Sequence, residues 1–454
     1  MDDIQFLAAN PRLFVTEQQT FSGEDFIAAV SYTRQQIQAA KQQQTESKPL
    51  SVLLFESNLF AFAVKLFALA NENCQILLPP NAQVATINEL SQQADLLCGS
   101  DINGTSQLSL SNIDAIKPKV TNHQKIACRW PEQGKLVFFT SGSSGKSKAI
   151  TKTWLQLNAE LNTLIGTFNF TGQHTFFATV PHWHIYGLLF RLLLPLRLSA
   201  CIEQTYAYPE HAIDLLVKTD NLVLISSPAF LKRLSVDNVF SDYQDKFARI
   251  ISSGGKLDLH CAFTLYQQLA LAVTQVYGST ESGGIAHKQV KQLSEPVWQI
   301  FNGINISVND RQQLVLASPW VEQSALVMDD VIELVNENAF NLLGRADRTI
   351  KIEEKRIDLG DIETYLNQHL WVDECRVLVL DGARQQLVVV AALTALGQQM
   401  LAKTSKRELN HQLKAYLLTK FEAICLPRKW RYLTELPYNQ QGKLPLSTLE
   451  QLFD

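Results

Sequence analysis

Short apolar runs alternate with segments of helical period along the first 280 residues. The first run lies at 51–56 and is followed by a helical stretch at about 59–70 and by the strand-like ILLPP. Further runs lie at 136–140, 175–180, 221–227, 248–253 and 272–278. Continuous apolar strands are typical of parallel sheets that are covered on both faces. Strands that alternate with helices are typical of α/β layering, so the pattern predicts a large α/β domain of layered, mostly parallel sheets.

The pattern changes after about Gln299. The alternating runs INISVND, QLVLAS and DDVIELV predict antiparallel strands at the edge of the large domain. Farther on, residues 349–359 alternate like a hairpin and residues 361–370 have helical period. The remaining strands and a helix at about 406–421 are enough for a small α+β domain. We place the boundary after residue 345, which gives a large domain at 1–345 and a small mobile domain at 346–454.

Composition excludes several classes of protein. With 46% hydrophobic residues, the chain of 454 residues is too apolar to be intrinsically disordered. A net charge of −4 gives no basic excess of the kind that marks nucleic-acid binding. The seven cysteines form no CxxC pair, which predicts reduced thiols in a cytoplasmic protein. The longest apolar stretch, 185–202, contains two arginines and a proline, so we expect a buried helix and no membrane span.

The strongest local signal is FFTSGSSGKSKAITKTW at 138–154. Glycines let a backbone approach an anion closely, while hydroxyls and amides donate hydrogen bonds to it. The segment therefore predicts a phosphate loop, with a flexible turn as the alternative. A Walker loop fails because Thr140 stands where the first glycine is required, and G-x-S-x-G of a hydrolase is absent. The candidate phosphate ligands are Thr140, Ser141, Gly142, Ser143, Ser144, Gly145 and Lys148.

A second cluster, QVYGSTESGG at 275–284, again follows an apolar strand. Tyr277 could stack on a base, Thr280 could bond a phosphate, and the carboxylate of Glu281 suits Mg²⁺, which prefers oxygen ligands. Taken alone, the same residues also fit a glycine turn with an exposed glutamate. The cluster indicates a nucleotide site only in combination with the phosphate loop at 140–148.

Three later features follow in order: Asp329 and Asp330, then GRADRTIKIEEKRIDLGDIE, then LPYNQQGK. In this combination the chain resembles the adenylate-forming superfamily, which includes acyl-CoA synthetases, aryl-acid ligases such as coumarate ligase, nonribosomal adenylation domains and firefly luciferase. The resemblance covers nearly the whole chain. It implies that ATP and Mg²⁺ activate a carboxylic acid to an acyl-adenylate with release of pyrophosphate. The acyl group would then pass to the phosphopantetheine thiol of an acyl carrier protein or of CoA.

The resemblance also implies roles for individual residues. The loop 140–148 would hold the β- and γ-phosphates of ATP, and Tyr277 to Glu281 match YG[ST]TE, which stacks on adenine, contacts the α-phosphate and binds Mg²⁺. Lys443 would bridge the acid's carboxylate and the α-phosphate, and Asp347 would be the hinge of the small domain. The implied catalytic residues are thus Lys443, Thr280 and Glu281, and the implied nucleotide contacts include Gly255, Tyr277, Gly278, Ser279, Asp330 and Arg345.

The acid pocket is implied by VPHWHIYGLL, which resembles P-x-x-H-x-x-G, and by SSGGKL. Its residues would be His182, Trp183, His184, Ser253 and Gly254. The His-x-His pair could instead bind a metal. Since PHWHIYG lacks the Asp that holds an ammonium in amino-acid-activating domains, we expect a non-amino acid, either aryl or fatty. The short chain is similar to stand-alone ligases that load carrier proteins in aryl polyene or related lipid pathways.

Some positions depart from the family pattern. Ser147 and Ala149 replace the usual Pro and Gly of the phosphate loop, and Met328 and Asp329 precede Asp330 in place of Thr and Gly. Glu354 stands where K-x-x-G-x-R-I has the glycine that lies against the pantetheine arm. These departures define the alternative function: a degenerate family member that binds a nucleotide or acyl group as a regulatory module without turnover.

Overall fold

The computed structural model describes residues 3–42, 49–81, 83–99, 126–141, 147–206, 215, 217–238, 240–352, 355–380, 386–421, 423, 426–439 and 444–453. The chain divides into two compact units. The first consists mainly of residues 1–142, 146–305 and 316–326, and the second mainly of 306–315 and 327–454. The domain boundary after residue 345 stays a prediction.

The first unit contains two sheets and the helices that cover them. Its strands are β1 (Phe14–Val15), β2 (Thr20–Phe21), β3 (Ser51–Leu54), β4 (Gln75–Leu78), β5 (Leu96–Cys98), β6 (Lys135–Ser141), β7 (Ser147–Thr153), β8 (Thr175–Ala178), β9 (Cys201–Tyr206), β10 (Leu222–Ser226), β11 (Phe247–Ser252), β12 (Thr274–Ser279), β13 (Gly283–Gln289) and β14 (Trp298–Ile300). Its helices are α1 (Gly23–Lys41), α2 (Leu59–Asn71), α3 (Val84–Ser91), α4 (Trp154–Phe168), α5 (Ile185–Gly187), α6 (Leu194–Arg197), α7 (Pro228–Asp237) and α8 (Leu259–Leu269). Short 3₁₀ helices lie at Ile4–Ala9 and Ser241–Lys246.

The smaller sheet has the strand order β5-β3-β4-β6-β7. Its first four strands are parallel, while β7 runs antiparallel to β6 and forms a hairpin with it. The apolar helix α2 is buried along almost its whole length, and the Asn58 side chain accepts a hydrogen bond from the Ala61 N–H at its start. This burial explains why helical residues 59–70 lack a polar face.

In the larger sheet, the strands of the first unit follow the order β14-β13-β12-β11-β10-β8-β9-β1-β2. Strands β8 to β12 pair in parallel, and β13 returns antiparallel to β12. One face packs against α7 and α8 through a core that includes Leu224, Ile250 and Leu265. The carboxyl ends of the parallel strands lie at one edge of such a sheet, where α/β proteins bind ligands.

The apolar stretch at 185–202 forms a helix with an irregular centre. A π-helical segment, Leu188–Leu193, joins α5 to α6. Pro195 has no backbone N–H, so it cannot donate to the carbonyl four residues earlier, that of Arg191 within the π-helical segment. The arginine in this segment, Arg191, is buried and donates to the carbonyls of Val180 and Gln204 at 2.9 and 2.6 Å. The prediction of a buried helix is confirmed, with this added irregularity.

The second unit contains the strands β15 (Asn305–Val308), β16 (Gln313–Ala317), β17 (Leu326–Asn336), β18 (Ala339–Arg345), β19 (Thr349–Ile352), β20 (Lys355–Asp358), β21 (Val372–Leu380), β22 (Gln386–Leu393) and β23 (Lys429–Leu433). Its helices are α9 (Leu359–Leu366), α10 (Ala395–Lys403), α11 (Lys406–Leu418) and α12 (Leu446–Glu450), with 3₁₀ turns at Ala346–Arg348 and Gln451–Phe453. The predicted hairpin is present as β19 and β20. The helix predicted at 361–370 spans Leu359–Leu366 instead, because Asp358 caps its start by accepting from the Gly360 N–H.

Strands β21, β22 and β23 form a three-stranded sheet that is covered on both faces. One face packs against α9 and α11 through residues such as Ile362 and Leu413, and the other packs against Leu449 and Phe453 near the C-terminal end of the described chain. The α/β fold class is thus confirmed, as is the α+β character of the C-terminal part. None of the described helices combines the length and the apolar character that a bilayer crossing requires.

Candidate functional site

Each candidate nucleotide loop is flanked by a pair of antiparallel strands of the first unit, β6 and β7 for the first loop and β12 and β13 for the second. In the first hairpin, Thr140 of β6 pairs with Lys148 of β7, and Ser141 pairs with Ser147. The loop therefore joins two antiparallel strands, and α4 begins only at Trp154. In the second hairpin, residues 280–282 connect β12 to β13. The predicted phosphate ligands Gly142, Ser143, Ser144 and Gly145 lie outside the described residues.

The two hairpins meet through a pair of opposite charges. The Lys148 Nζ lies 3.4 Å from the Glu281 Oε1, although 133 residues separate them in the chain. Side-chain exposure is 63% for Lys148 and 35% for Glu281, so both charges remain accessible. An exposed ion pair of this kind contributes only about 0–1 kcal/mol. A ligand could therefore rearrange it at little cost.

Hydrogen bonds within the second turn fix its shape. The N–H of Ser279 donates to Ser282 Oγ at 2.9 Å, and the N–H of Ser282 donates to Ser279 Oγ at 3.1 Å. Gly278 is required here because a Cβ would lie 2.2 Å from the carbonyl oxygen of Gly283. Thr280 and Glu281 are thus presented at the tip of a rigid turn.

Lys152 is a buried residue beneath this turn that the sequence analysis missed. Its Nζ donates to the carbonyl oxygens of Glu281 and Trp320 at 2.7 and 2.8 Å. Burial lowers the pKa of its ammonium, while the charges of Glu160 and Glu281 raise it. On β7, Lys152 shares a face with the buried Ile150, and this alternation is the signal that could have identified it.

Glu160, on α4, holds the far side of the same turn. A capping box between Thr153 and Gln156 fixes the start of α4. The Oε1 of the buried Glu160 accepts a hydrogen bond of 2.6 Å from the Gly284 N–H. Burial raises the pKa of this carboxyl to about 7, against the lowering effects of the Gly284 hydrogen bond and the Lys152 charge. Its place among the apolar residues of α4 is a detectable sequence signal, since Leu157, Leu161 and Leu164 share the buried stripe.

Replacing Lys152 by methionine should destabilise the protein. The variant leaves the carbonyls of Glu281 and Trp320 without their buried donor, and Glu160 loses a positive neighbour. We expect a loss of about 2–4 kcal/mol in the free energy of unfolding, measured by urea denaturation. Lys135→Met, at an exposed position on β6, is the control and should change stability by less than about 0.5 kcal/mol. Equal effects for the two variants would contradict this role of Lys152.

The pKa of Glu160 predicts a pH dependence. Its folded value of about 7 exceeds the ordinary 4.5, so the folded chain holds the proton more tightly than the unfolded chain. The stability that this group confers is present below pH 4.5 and is lost as pH rises toward 7. Glu160→Gln removes the loss, so the variant should gain up to about 3 kcal/mol relative to wild type across this window. Denaturation series at pH 4.5 to 8 measure it, with the exposed Glu89→Gln as control; a pH-independent difference for Glu160→Gln would contradict it.

Of the implied acid pocket, His182 is buried in the first unit, and the partly buried Trp183 packs against its core. His182 is fully buried, and its Nε2 lies 2.8 Å from the Glu56 carbonyl oxygen. Burial and the Arg191 charge lower the pKa of His182 well below its ordinary value. Trp183 packs on Phe55 with ring centroids 4.9 Å apart. The imidazole is therefore neutral, and its hydrogen bond to Glu56 fixes it against the Trp183 ring.

The remaining residues of PHWHIYG pack closely against neighbouring backbone atoms and side chains. A Cβ on Gly187 would lie 1.9 Å from the Pro181 carbonyl oxygen, which explains the glycine at the end of PHWHIYG. The Tyr186 hydroxyl donates toward the carbonyls of Ser226 and Ile251 at 3.0 and 3.1 Å, and burial raises its pKa. His184 adjoins Trp183, with ring centroids 6.1 Å apart. Among the described residues, no group of three or more His, Cys, Asp or Glu side chains could hold a metal ion.

Tyr277, implied for adenine, and the turn 253–255, implied for the acid pocket (Ser253, Gly254) and the nucleotide (Gly255), belong to adjacent strands β12 and β11. Ser252 pairs with Gln275, so the turn 253–255 and Tyr277, which lies within β12 near its end, are at the same edge of the sheet. The Ser253 Oγ donates to the Val276 carbonyl at 2.9 Å. Gly254 has a positive φ of 86°, and no atom lies within 4 Å of its potential Cβ. Tyr277 packs on Trp298 with centroids 5.4 Å apart, so an aromatic face and an open glycine turn lie side by side.

Two of the implied nucleotide contacts, Asp330 and Arg345, are neighbours within the second unit. Asp330 of β17 pairs with Arg345 of β18 in the antiparallel register. The Arg345 guanidinium lies 3.4 Å from an Asp329 oxygen and 3.9 Å from an Asp330 oxygen. Asp347 lies in the 3₁₀ turn Ala346–Arg348, while Lys443 and Glu354 lie outside the described residues. The structure thus brings Asp330 and Arg345 together, and their contact with a nucleotide stays a prediction.

A family model described as "AMP-binding enzyme" matches residues 38–321, which is more than half of the chain. The chain belongs to the AMP-binding enzyme family. The match includes both hairpin turns and the segment from His182 to His184. The resemblance stated from the sequence motifs is therefore confirmed.

Two relatives indicate the kind of enzyme. A 4-coumarate–CoA ligase of Halorhodospira halophila is 27% identical over 68% of this chain and 74% of its own length. A D-alanine–D-alanyl carrier protein ligase of Lactococcus lactis subsp. lactis is 21% identical over 96% of this chain and 94% of its own length. This AMP-binding enzyme is accordingly an AMP-forming acid–thiol ligase.

A solved structure shows the same fold. The O-succinylbenzoate coenzyme A synthetase of Bacillus subtilis, in complex with ATP and magnesium ion, superposes on this AMP-binding enzyme with a TM-score of 0.79. The two chains are 16% identical, and the match covers 98% of each.

Proposed function

We propose that this AMP-binding enzyme uses MgATP to activate a non-amino carboxylic acid, aryl or fatty, as an acyl-adenylate. It then passes the acyl group to the phosphopantetheine thiol of a carrier protein or of CoA. The contact that carries the proposal is the one between Lys148 and Glu281 at 3.4 Å. It puts a cation from the phosphate-loop hairpin beside a carboxylate from the YGSTE turn. A nucleoside triphosphate with its metal ion requires both, the cation for its phosphates and the carboxylate for the ion.

The chemistry explains why such a site needs charges and not a protein nucleophile. The acid's carboxylate attacks the α-phosphorus of ATP and displaces pyrophosphate, which brings two anions together. Cations and hydrogen-bond donors placed where negative charge accumulates lower this barrier, and positioning supplies much of the rest. A thiol then attacks the acyl carbon, loses its proton to solvent and releases AMP.

The residues present fit a magnesium ion that ATP brings with it. Mg²⁺ keeps several waters and is bound through one or two carboxylates plus substrate phosphates. Glu281 offers one carboxylate that is 35% exposed at the tip of a braced turn. When bound, the ion would neutralise phosphate charge. Lys152 holds the backbone of Glu281 in place through its carbonyl.

We infer the chemical class of the acid from the residues of the segment PHWHIYG. It contains no carboxylate to pair with an ammonium group, and Trp183 contacts the apolar core that includes Phe139 and Leu53. These surroundings favour an aryl or fatty acid, and similarity to a 4-coumarate–CoA ligase supports an aryl acid. Similarity to a D-alanine–D-alanyl carrier protein ligase makes an amino acid the alternative substrate. The substrate panel must therefore contain both amino acids and non-amino acids.

Acid-dependent exchange of labelled pyrophosphate into ATP tests the proposal. We expect exchange with aryl or fatty acids at rates well above those with D- and L-alanine. Exchange only with amino acids would contradict the acid class, and no exchange across the panel would contradict adenylation itself and favour a nucleotide-binding module. The acceptor is decided by incubating the adenylating enzyme with CoA or with a phosphopantetheinylated carrier protein and measuring the mass gained by each.

A further inference from the structure

A cleft lies in the first unit, away from the Thr280–Glu281 turn. Its volume is about 400 Å³, within the usual range of small-molecule sites. The lining includes Thr274, the first residue of β12, and Gln289, the last residue of β13. The YGSTE turn joins the opposite ends of these two strands, roughly 15 Å away along the sheet. The cleft is therefore distinct from the nucleotide loops.

The cleft contains a partly buried cation, Arg249, that has no anionic partner among the described residues. The guanidinium of Arg249 lies 5.7 Å from the ring centroids of both Phe168 and Phe170, and it donates to the Phe168 carbonyl at 3.1 Å. Among the residues that the structure describes, Arg249 forms no ion pair with a carboxylate, and no neighbouring carboxylate offsets the effect of burial on its pKa. Burial lowers its pKa. Holding a charge partly out of water without a counter-ion is costly, so the site is electrostatically incomplete.

Two lysines add to the positive charge of the cleft. The buried Lys288 forms an ion pair with Glu295, and its Nζ lies 4.6 Å from the Trp298 ring centroid. Lys291 is exposed at the rim. The lining contains these two lysines and Arg249 but no carboxylate. Even with Glu295 counted against Lys288, two positive charges remain for a ligand.

The remaining lining residues indicate which kind of organic group is attached to the anion. Thr274 and Gln299 supply polar groups, whereas Phe168, Pro296 and Val297 supply apolar surface. Guanidinium and ammonium groups together bind phosphate well, since Arg offers a fork of donors and Lys a point charge. We propose that this cleft is a second ligand site, which binds a small phosphate monoester with an apolar organic group.

Calorimetric titration of the full-length enzyme with phenyl phosphate, inorganic phosphate and phenol tests the proposal. The wild type should bind phenyl phosphate and should not bind phenol. Arg249→Met and Lys291→Met should each raise the Kd for phenyl phosphate roughly ten-fold, the effect expected when a charge-assisted hydrogen bond is lost. Lys218→Met, which removes one exposed positive charge outside the cleft, is the matched control and should leave the Kd unchanged.

Lys148→Met separates this cleft from the phosphate loop. Undiminished binding of phenyl phosphate to that variant supports a second site, whereas loss of binding in that variant alone places the phosphate at the nucleotide loop and overturns the proposal. Inorganic phosphate should bind more weakly than the ester, and equal affinities would contradict the ester. Binding of phenol as strong as that of phenyl phosphate would also overturn it. Because Lys291 is exposed, Lys291→Met keeps the test valid if Arg249→Met does not fold.

Discussion

Glu281→Gln should lower acid-dependent pyrophosphate exchange by about 10²- to 10³-fold, the usual cost of removing one preorganised electrostatic group from an active site. Glutamine has the same shape and leaves the backbone carbonyl that accepts from Lys152, so the turn should keep its structure. Only the negative charge beside Lys148 is lost. Initial exchange rates at a series of Mg²⁺ concentrations measure the effect, and the variant should need more Mg²⁺ for half-maximal rate.

The control for this variant is Glu322→Gln, which removes an exposed carboxylate elsewhere in the first unit. It should exchange at the wild-type rate with the wild-type Mg²⁺ dependence. If Glu281→Gln also stayed within about three-fold of wild type, the assignment of Glu281 to the metal and phosphates would be wrong.

Lys443→Ala should remove adenylation to a similar extent, about 10²- to 10³-fold, while ATP binding is retained. The expectation follows from the resemblance of QQGK to the family's C-terminal lysine, which contacts the acid's carboxylate and the α-phosphate where charge develops. Pyrophosphate exchange measures adenylation, and the ATP-induced rise in Tm measures binding.

Lys403→Ala, at an exposed position at the end of α10, is the matched control for Lys443→Ala. It should lose neither exchange nor the ATP-induced rise in Tm. Unchanged exchange in Lys443→Ala would show that another residue supplies this charge. Loss of both exchange and the ATP-induced rise would show that Lys443 holds the nucleotide and does not act on the acid.

Elements with a strong local pattern were predictable from the sequence. The parallel strands β8, β10, β11 and β12 lie where the apolar runs predict them, because strands buried on both faces need no polar residues. Both candidate loops were identified because glycines and hydroxyls follow such strands directly. The hairpin of β19 and β20 was equally visible from its alternation.

The residues that position the site were not predictable in the same way. Lys152 and Glu160 are charged, and charged side chains are rarely buried, so their default interpretation was an exposed face. Their burial depends on contacts with Glu281, Trp320 and Gly284, which lie more than 120 residues away in the chain. The contact between Lys148 and Glu281 likewise depends on how two sheets pack, which no local pattern encodes.

In the proposed reaction, a carboxylate oxygen of the acid attacks the α-phosphorus of ATP. Transfer of ¹⁸O tests it most directly: the enzyme is supplied with MgATP and an acid labelled with ¹⁸O in both carboxylate oxygens, and hydroxylamine traps the acyl group. Because the bridging oxygen of the acyl-adenylate comes from the acid, we predict AMP that carries one ¹⁸O atom, measured by mass spectrometry. Unlabelled AMP, or ¹⁸O in inorganic phosphate, would contradict an acyl-adenylate pathway.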